Sequence, residues 1–161
     1  MGSPSCACPC LDVLLAMPSV TVAAVVSQPD RPRGRGLVCQ PCPVMAHARE
    51  RGIPIVTPPN VNQPETVAAL AAFRPDAIVV VAFGQILKQP ILDLAPLGCI
   101  NVHPSLLPRY RGAAPAPWAI ARGETVTGVT TMRMNARLDA GAILLQRRVP
   151  IALDDTGGSL M

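Results

Sequence analysis

Aromatic residues are nearly absent from this sequence: two Phe, one Tyr and one Trp make up 2% of 161 residues, while 50% are hydrophobic. A core built from such a chain rests on Val, Leu, Ile and Ala, and the length suffices for one domain around it. No run approaches the roughly eighteen consecutive apolar residues that cross a bilayer. The first residues lack a basic segment followed by an apolar one, so no secretory signal is expected. A cytoplasmic protein without membrane contact is the expectation. Histidine is also scarce, with two copies, and this bears on the six cysteines. Cys39 and Cys42 form a C-x-x-C pair whose only near neighbour of ligand type is His47, whereas structural zinc needs four clustered ligands. Free thiols and no metal site are expected. Acidic residues number 10 against 14 basic ones, a formal net charge of +4. The excess is local, with Arg31, Arg33 and Arg35 in one loop and Arg109 and Arg111 in another. Such loops suit phosphate contacts, and ordinary solvated loops have the same composition.

What is present is a regular alternation of elements. Val20 to Ser27 is a β-branched run bounded by Pro18 and Pro29, which predicts a strand buried on both faces. Asp76 to Phe83 and Cys99 to Val102 have the same character, and Ile53 to Val56 is a shorter strand. Helices are predicted over Pro9 to Met17, Pro43 to Gly52, Gln63 to Phe73 and Ala113 to Arg122, with Gln28 to Gln40 as a Pro/Gly/Arg loop. Val126 to Met132 and Ile143 to Val149 close the chain as strands joined by a loop over Asn135 to Gly141. This order predicts an α/β fold with an open, mostly parallel sheet, the last strands antiparallel. No repeat or linker marks a second domain. In such folds ligands bind beyond the carboxyl ends of strands, where Arg31, Gly84 and Asn101 all fall.

The densest run of reactive groups begins at Asn101. Asn101, His103 and Ser105 follow a buried strand, and Asp139 lies downstream in Leu138-Asp139-Ala140-Gly141. An amide can donate to a developing oxyanion, an imidazole moves protons near neutral pH, and a carboxylate orients an imidazole or a water. If the strand continues through His103, Asn101 and His103 project to one side. These groups suit the addition of an amine to a carbonyl carbon. Each also has a structural reading: an ordinary loop histidine, an asparagine at a strand end, an aspartate in a turn. Ser105 is not in a Gly-x-Ser-x-Gly elbow and is not read as a nucleophile.

Asn101-x-His103-x-Ser105-Leu106-Leu107-Pro108 resembles the signature of the folate-dependent formyltransferases. Three further stretches resemble the members of that family that act on methionyl initiator tRNA. These are Gln28 to Gly36, Arg109 to Pro115, and Val129 to Met134 with Leu138 to Gly141. The resemblance spans the chain. It implies a Rossmann-like formyltransferase fold with helices on both faces of the sheet. It also implies direct formyl transfer from 10-formyltetrahydrofolate to the α-amine of methionyl initiator tRNA, with no metal and no obligate protein partner. On this resemblance Asn101 stabilises the oxyanion, His103 polarises the formyl group or assists proton transfer, and Asp139 positions His103 and a water. Folate would lie against Phe83, Gly84, Gln85, Ile86, Leu87, Leu138 and Gly141, with Ser105, Leu106, Leu107 and Pro108 shaping the wall. Arg31, Arg33, Arg35, Arg109 and Arg111 would contact tRNA. Departures from the family pattern stand at Met45, Lys88 and Ala142.

Set against a doubly wound domain, which opens with a strand at the middle of its sheet, this chain opens at a turn, Met1-Gly2-Ser3-Pro4. The expectation is a catalytic domain over residues 1–161 that is incomplete at both ends, without the first strand and without a C-terminal barrel domain. Asp155 or Thr156 is expected to cap the start of a last helix. Two alternatives to tRNA formylation follow: an inactive remnant that binds folate weakly, and a formyltransferase with another amine acceptor such as glycinamide ribonucleotide.

Overall fold

The structure, a computed structural model, describes residues 1–33, 38–40 and 42–161. Parallel strand pairs and helices on two faces make the α/β architecture that the alternation predicts. Helix α1 (Cys8–Ala16) leads into strand β1 (Val25–Val26), which pairs in parallel with β4 (Ile55–Val56). Between them lie a short antiparallel hairpin, β2 (Arg31–Arg33) with β3 (Val38–Gln40), and helix α2 (Pro43–Glu50). Helix α3 (Pro64–Ala71) precedes β5 (Ile78–Val80), and α4 (Gln89–Leu92) precedes β6 (Cys99–His103). β5 and β6 run parallel; β7 (Val126–Arg133), reached through α5 (Pro115–Ala121), and β8 (Ala142–Pro150) add antiparallel strands in the order β5-β6-β7-β8.

Met1 and Gly2 join the two parallel pairs. Gly2 N–H donates to Val26 O (3.0 Å), Val81 N–H donates to Met1 O (2.8 Å), and the Met1 amino group donates to Val79 O. Gly2 and Val81 thus form a parallel bridge. Two residues therefore act as the stub of a strand between β1 and β5. Upstream of that stub a cavity of about 650 Å³ separates Val20–Ala24 from Pro75–Val79, with Leu11 and Leu14 of α1 lining it. The burial of the Met1 amino group holds its pKa down, from 8.0 to about 6, because a charge there lacks water.

This geometry explains one difference from expectation. Val20 to Ser27 has strand character throughout, yet only Val25 and Val26 form a ladder. A strand is defined by its partners, and Val20 to Ala24 face the cavity. The Pro/Gly/Arg loop likewise contains the β2–β3 hairpin, and Arg35 lies outside the described residues.

Alternating side chains of β5 divide the core. Ile78 and Val80 pack with Val26, Leu70, Leu87 and Ile91 on the α3 and α4 face. Val79 and Val81 pack with Ala7, Leu11, Val25, Val44 and Ala48 on the α1 and α2 face. The alternation is the period-two pleat of a strand covered on both sides. Met45, a departure from the family pattern, is buried on α2. Lys88 is exposed at the N-terminus of α4, and Ala142 opens β8 opposite Arg133. Cys6, Cys8, Cys10, Cys42 and Cys99 are free, and burial pushes the Cys99 thiol up to about 11. No group of three or more His, Cys, Asp or Glu among the described residues is placed to hold a metal ion. No helix among them is long and apolar enough to cross a membrane. Residues 155–161 form turns and not the start of the helix expected there, although Thr156 makes the local bonds of a cap: Ser159 N–H donates to Thr156 Oγ1 (3.1 Å), and Thr156 N–H to Ser159 Oγ (3.0 Å).

Candidate active site

Loops after the Met1–Gly2 stub, after β1 and after β5 meet at one rim of the sheet. Phe83 O accepts hydrogen bonds from Ser3 Oγ (2.9 Å) and Gln28 Nε2 (3.0 Å), so a single carbonyl ties all three together. Because β6 runs parallel to β5, Asn101 and His103 emerge at the same rim. The ladder of β6 does continue through His103, which pairs with Thr130 of β7, so Asn101 and His103 project to one side as alternation requires.

Asp139 reaches them from the β7–β8 loop. Its Oδ1 accepts from Asn101 Nδ2 (3.3 Å), and its Oδ2 accepts from the Gly112 N–H (2.8 Å). His103 Nδ1 lies 3.7 Å from the same Oδ2, with both side chains over nine-tenths buried. Asp139 adopts φ +44°, a left-handed conformation that an L-residue holds only when its surroundings fix it. Gly141 shows why that loop carries glycine. A Cβ there would meet Arg133 O at 1.8 Å, so no other residue fits without moving the backbone that carries Asp139.

The ring of His103 is oriented by a group that sequence reasoning did not identify. Its Nε2 lies 2.9 Å from Tyr110 O. A carbonyl only accepts, so Nε2 carries a proton, and whenever the ring is neutral its lone pair is on Nδ1, on the side of Asp139. Tyr110 itself sits at φ +56°. A backbone acceptor leaves no mark in a residue-by-residue reading, which is why only Asp139 was foreseen as the partner.

The remaining predicted residues divide into rim and framework. Gly84 and Ile86 are exposed at the rim, and Gly84 holds φ +82° where a Cβ would meet Gln28 Nε2 at 2.3 Å. Gln85 faces inward, its Oε1 accepting from Val61 N–H (2.7 Å) and its Nε2 donating to Pro58 O (3.2 Å). Phe83 and Leu87 belong to the core. Asn62, absent from the sequence-based set, clamps this loop: its Nδ2 donates to Ile86 O and its Oδ1 accepts from Lys88 N–H, both at 2.8 Å. Ser105 and Leu107 are buried, Leu106 is partly buried, and Leu138 and Pro108 are exposed.

Arg109 and Arg111 are exposed beside this loop. Arg109 pairs with Glu124, which also accepts from Tyr110 Oη (2.6 Å), and the guanidinium groups of Arg109 and Arg122 lie over the Tyr110 ring. The Tyr110 hydroxyl, with Arg109 beside it, holds the Glu124 carboxyl below its ordinary range. Arg31 and Arg33 lie on β2.

Comparison with known proteins agrees with this geometry. The formyl transferase family model matches residues 2–161. A methionyl-tRNA formyltransferase of Trichlorobacter lovleyi is 54% identical over 160 residues, covering 99% of this chain and 50% of that protein. One from Geobacter sulfurreducens is 53% identical over the same length and coverage. The chain thus spans about half the length of the curated relatives it matches. Among solved structures, glycinamide ribonucleotide transformylase 1 from Symbiobacterium toebii superposes with a TM-score of 0.76 at 27% identity, covering 99% of this chain and 75% of the other. Phosphoribosylglycinamide formyltransferase from Bacillus halodurans reaches 0.79 at 23% identity, with coverages of 99% and 82%, and shares the fold. With the family model matched from Gly2 to the last residue and the Asn101, His103 and Asp139 side chains gathered at one rim, the chain belongs to the formyl transferase family.

Proposed function

We propose that residues 1–161 form a catalytic unit that transfers a formyl group from 10-formyltetrahydrofolate to the α-amine of methionyl initiator tRNA in the cytoplasm. The observation that carries this reading is the convergence of Asn101, His103 and Asp139 on one point of the rim. The acceptor is chosen because relatives above half identity are methionyl-tRNA formyltransferases, and because the basic residues Arg31, Arg33, Arg35, Arg109 and Arg111 suit an RNA backbone.

The reaction needs no covalent enzyme intermediate. The amine nitrogen attacks the formyl carbon, and the carbonyl electron pair moves onto oxygen. Asn101 has two amide hydrogens; one is directed to Asp139, and the other donates to that oxyanion. As the new C–N bond forms, the amine loses a proton to Nδ1 of His103, the only free lone pair on the ring. The resulting imidazolium lies 3.7 Å from the Asp139 carboxylate, which stabilises it. The oxyanion pair then re-forms the carbonyl as the carbon–N10 bond breaks, N10 takes the proton held by the His103 imidazolium, and tetrahydrofolate leaves with the ring neutral again. The exposed rim residues Gly84, Ile86 and Leu138 form the pterin-facing surface of this proposal, with the Ser105–Pro108 loop behind it.

Incubating the purified chain with 10-formyltetrahydrofolate and either methionyl initiator tRNA or glycinamide ribonucleotide tests both reaction and acceptor. Formylation of the tRNA that disappears in His103→Ala supports the reading. A folded chain that binds folate and formylates neither acceptor is the inactive remnant, and preference for the ribonucleotide replaces the acceptor.

A further inference from the structure

The loop that orients His103 is itself held by two side chains from the neighbouring strands. Thr130 of β7 lies directly opposite His103 across the β6–β7 ladder, and Gln146 of β8 lies opposite Thr130. Thr130 is fully buried, and every hydrogen-bonding position of its hydroxyl is used. It donates to Ser105 O (2.6 Å) and accepts from Leu107 N–H (3.1 Å) and from Gln146 Nε2 (2.9 Å). Gln146 Nε2 also donates to Leu107 O (2.8 Å), so both hydrogens of its amide are engaged. The polarity of this network is forced. Ser105 O and Leu107 O can only accept and Leu107 N–H can only donate, which fixes the hydroxyl direction and the amide orientation without choice.

The consequence reaches the imidazole through three residues of chain. With Ser105 and Leu107 pinned, the Ser105 hydroxyl ties Arg109 O (2.7 Å) and lies 3.4 Å from Tyr110 O. Tyr110 O is the acceptor that keeps the proton on His103 Nε2. We infer that Thr130 and Gln146 are positioning residues that set the tautomer of His103, leaving Nδ1 as the base toward Asp139. This inference rests on the proposed reaction for its purpose, though not for its test. Neither residue carries a signal in sequence, since threonine and glutamine on strands are ordinary.

The test reads the tautomer directly. The chain holds two histidines, so ring nitrogen shifts from ¹⁵N–¹H correlation spectra are readily assigned with a His47→Gln control. In the parent chain at a pH where His103 is neutral, Nε2 appears protonated and Nδ1 unprotonated. Thr130→Val, close in shape, removes all three hydrogen bonds and moves the His103 nitrogens toward the averaged shifts of a mixed tautomer; Thr130→Ser restores the parent pattern. Gln146→Met, at a more exposed site, produces a smaller shift in the same direction and serves if Thr130→Val does not fold. A folded Thr130→Val or Gln146→Met chain with the parent tautomer overturns the inference, as does failure of Thr130→Ser to restore it. No folate or tRNA enters this measurement. A chain that fails to transfer formyl groups yet shows these shifts therefore refutes the reaction and not the positioning.

Discussion

Adding four β-branched residues, Val-Ile-Val-Ile, ahead of Met1 should stabilise the fold by filling the cavity between Val20–Ala24 and Pro75–Val79. Both cavity walls are strand-like, and the Met1–Gly2 stub already supplies the register through Val26 and Val81. Burying four such side chains at about 1.5–3 kcal/mol each contributes roughly 6–12 kcal/mol. Fixing four backbones costs about 4–8 kcal/mol. The midpoints of these ranges, about 9 and about 6 kcal/mol, leave an expected net gain of about 3 kcal/mol at pH 8.5. A second gain depends on pH. The Met1 amino group has a folded pKa of about 6 against 8.0, so the unfolded chain binds more protons between those values. The contribution of this amino group to stability is fully present above pH 8 and is lost as pH drops toward 6, by about 3 kcal/mol for a two-unit shift. In the extended chain that nitrogen is an amide and the loss disappears. Urea denaturation of both chains at pH 8.5 and pH 5.5 measures the two effects together. An extension carrying Pro in place of its second residue is the control, because proline cannot complete the ladder. Equal stabilisation by the proline control, or a difference between chains that does not grow at pH 5.5, would refute the reasoning.

Three further perturbations follow from the site. Gly141→Ala places a methyl 1.8 Å from Arg133 O, so it should destabilise the chain by about 1–3 kcal/mol and lower transfer activity; equilibrium denaturation and a transfer assay check both. Asn62→Ala removes the two hydrogen bonds that hold Ile86 and Lys88. It should weaken folate binding more than it lowers the maximal rate, which titration and steady-state kinetics separate. Arg35→Ala should weaken tRNA binding and reduce its salt dependence, by a slope of about 1 on a log–log plot if one phosphate contact is lost.

Part of the candidate site was legible in side chains at fixed spacing on predictable elements, and the roles proposed for them came from the resemblance to the formyltransferase signature. Asn101 and His103, two apart on a strand, had to share a side, whereas Leu138-Asp139-Ala140-Gly141 could be read as an ordinary turn, and the need for glycine at 141 shows only in the close approach of Arg133 O. The α/β order was readable from the Val-rich runs and helix starts. What was not legible depends on partners far away in sequence. The Tyr110 carbonyl, the Asn62 clamp and the Thr130–Gln146 network all act through backbone groups that every residue possesses. The shortness of β1 had the same origin, since Val20 to Ala24 have the composition of a strand and lack the neighbour that would define one. Composition also hid the β2–β3 hairpin, because Pro, Gly and Arg dominate that stretch as they dominate loops.

The proposal that three side chains act as one transfer site is tested most directly by single-turnover formylation of methionyl initiator tRNA with Asn101→Ala, His103→Ala and the double variant. Loss of the oxyanion donor should slow transfer by about 10²–10³-fold, and loss of the base by about 10²–10⁴-fold. Residues that work as a unit are not additive. The account predicts a double variant little slower than the worse single variant. Parent-like rates in either single variant, with each chain folded, would contradict it.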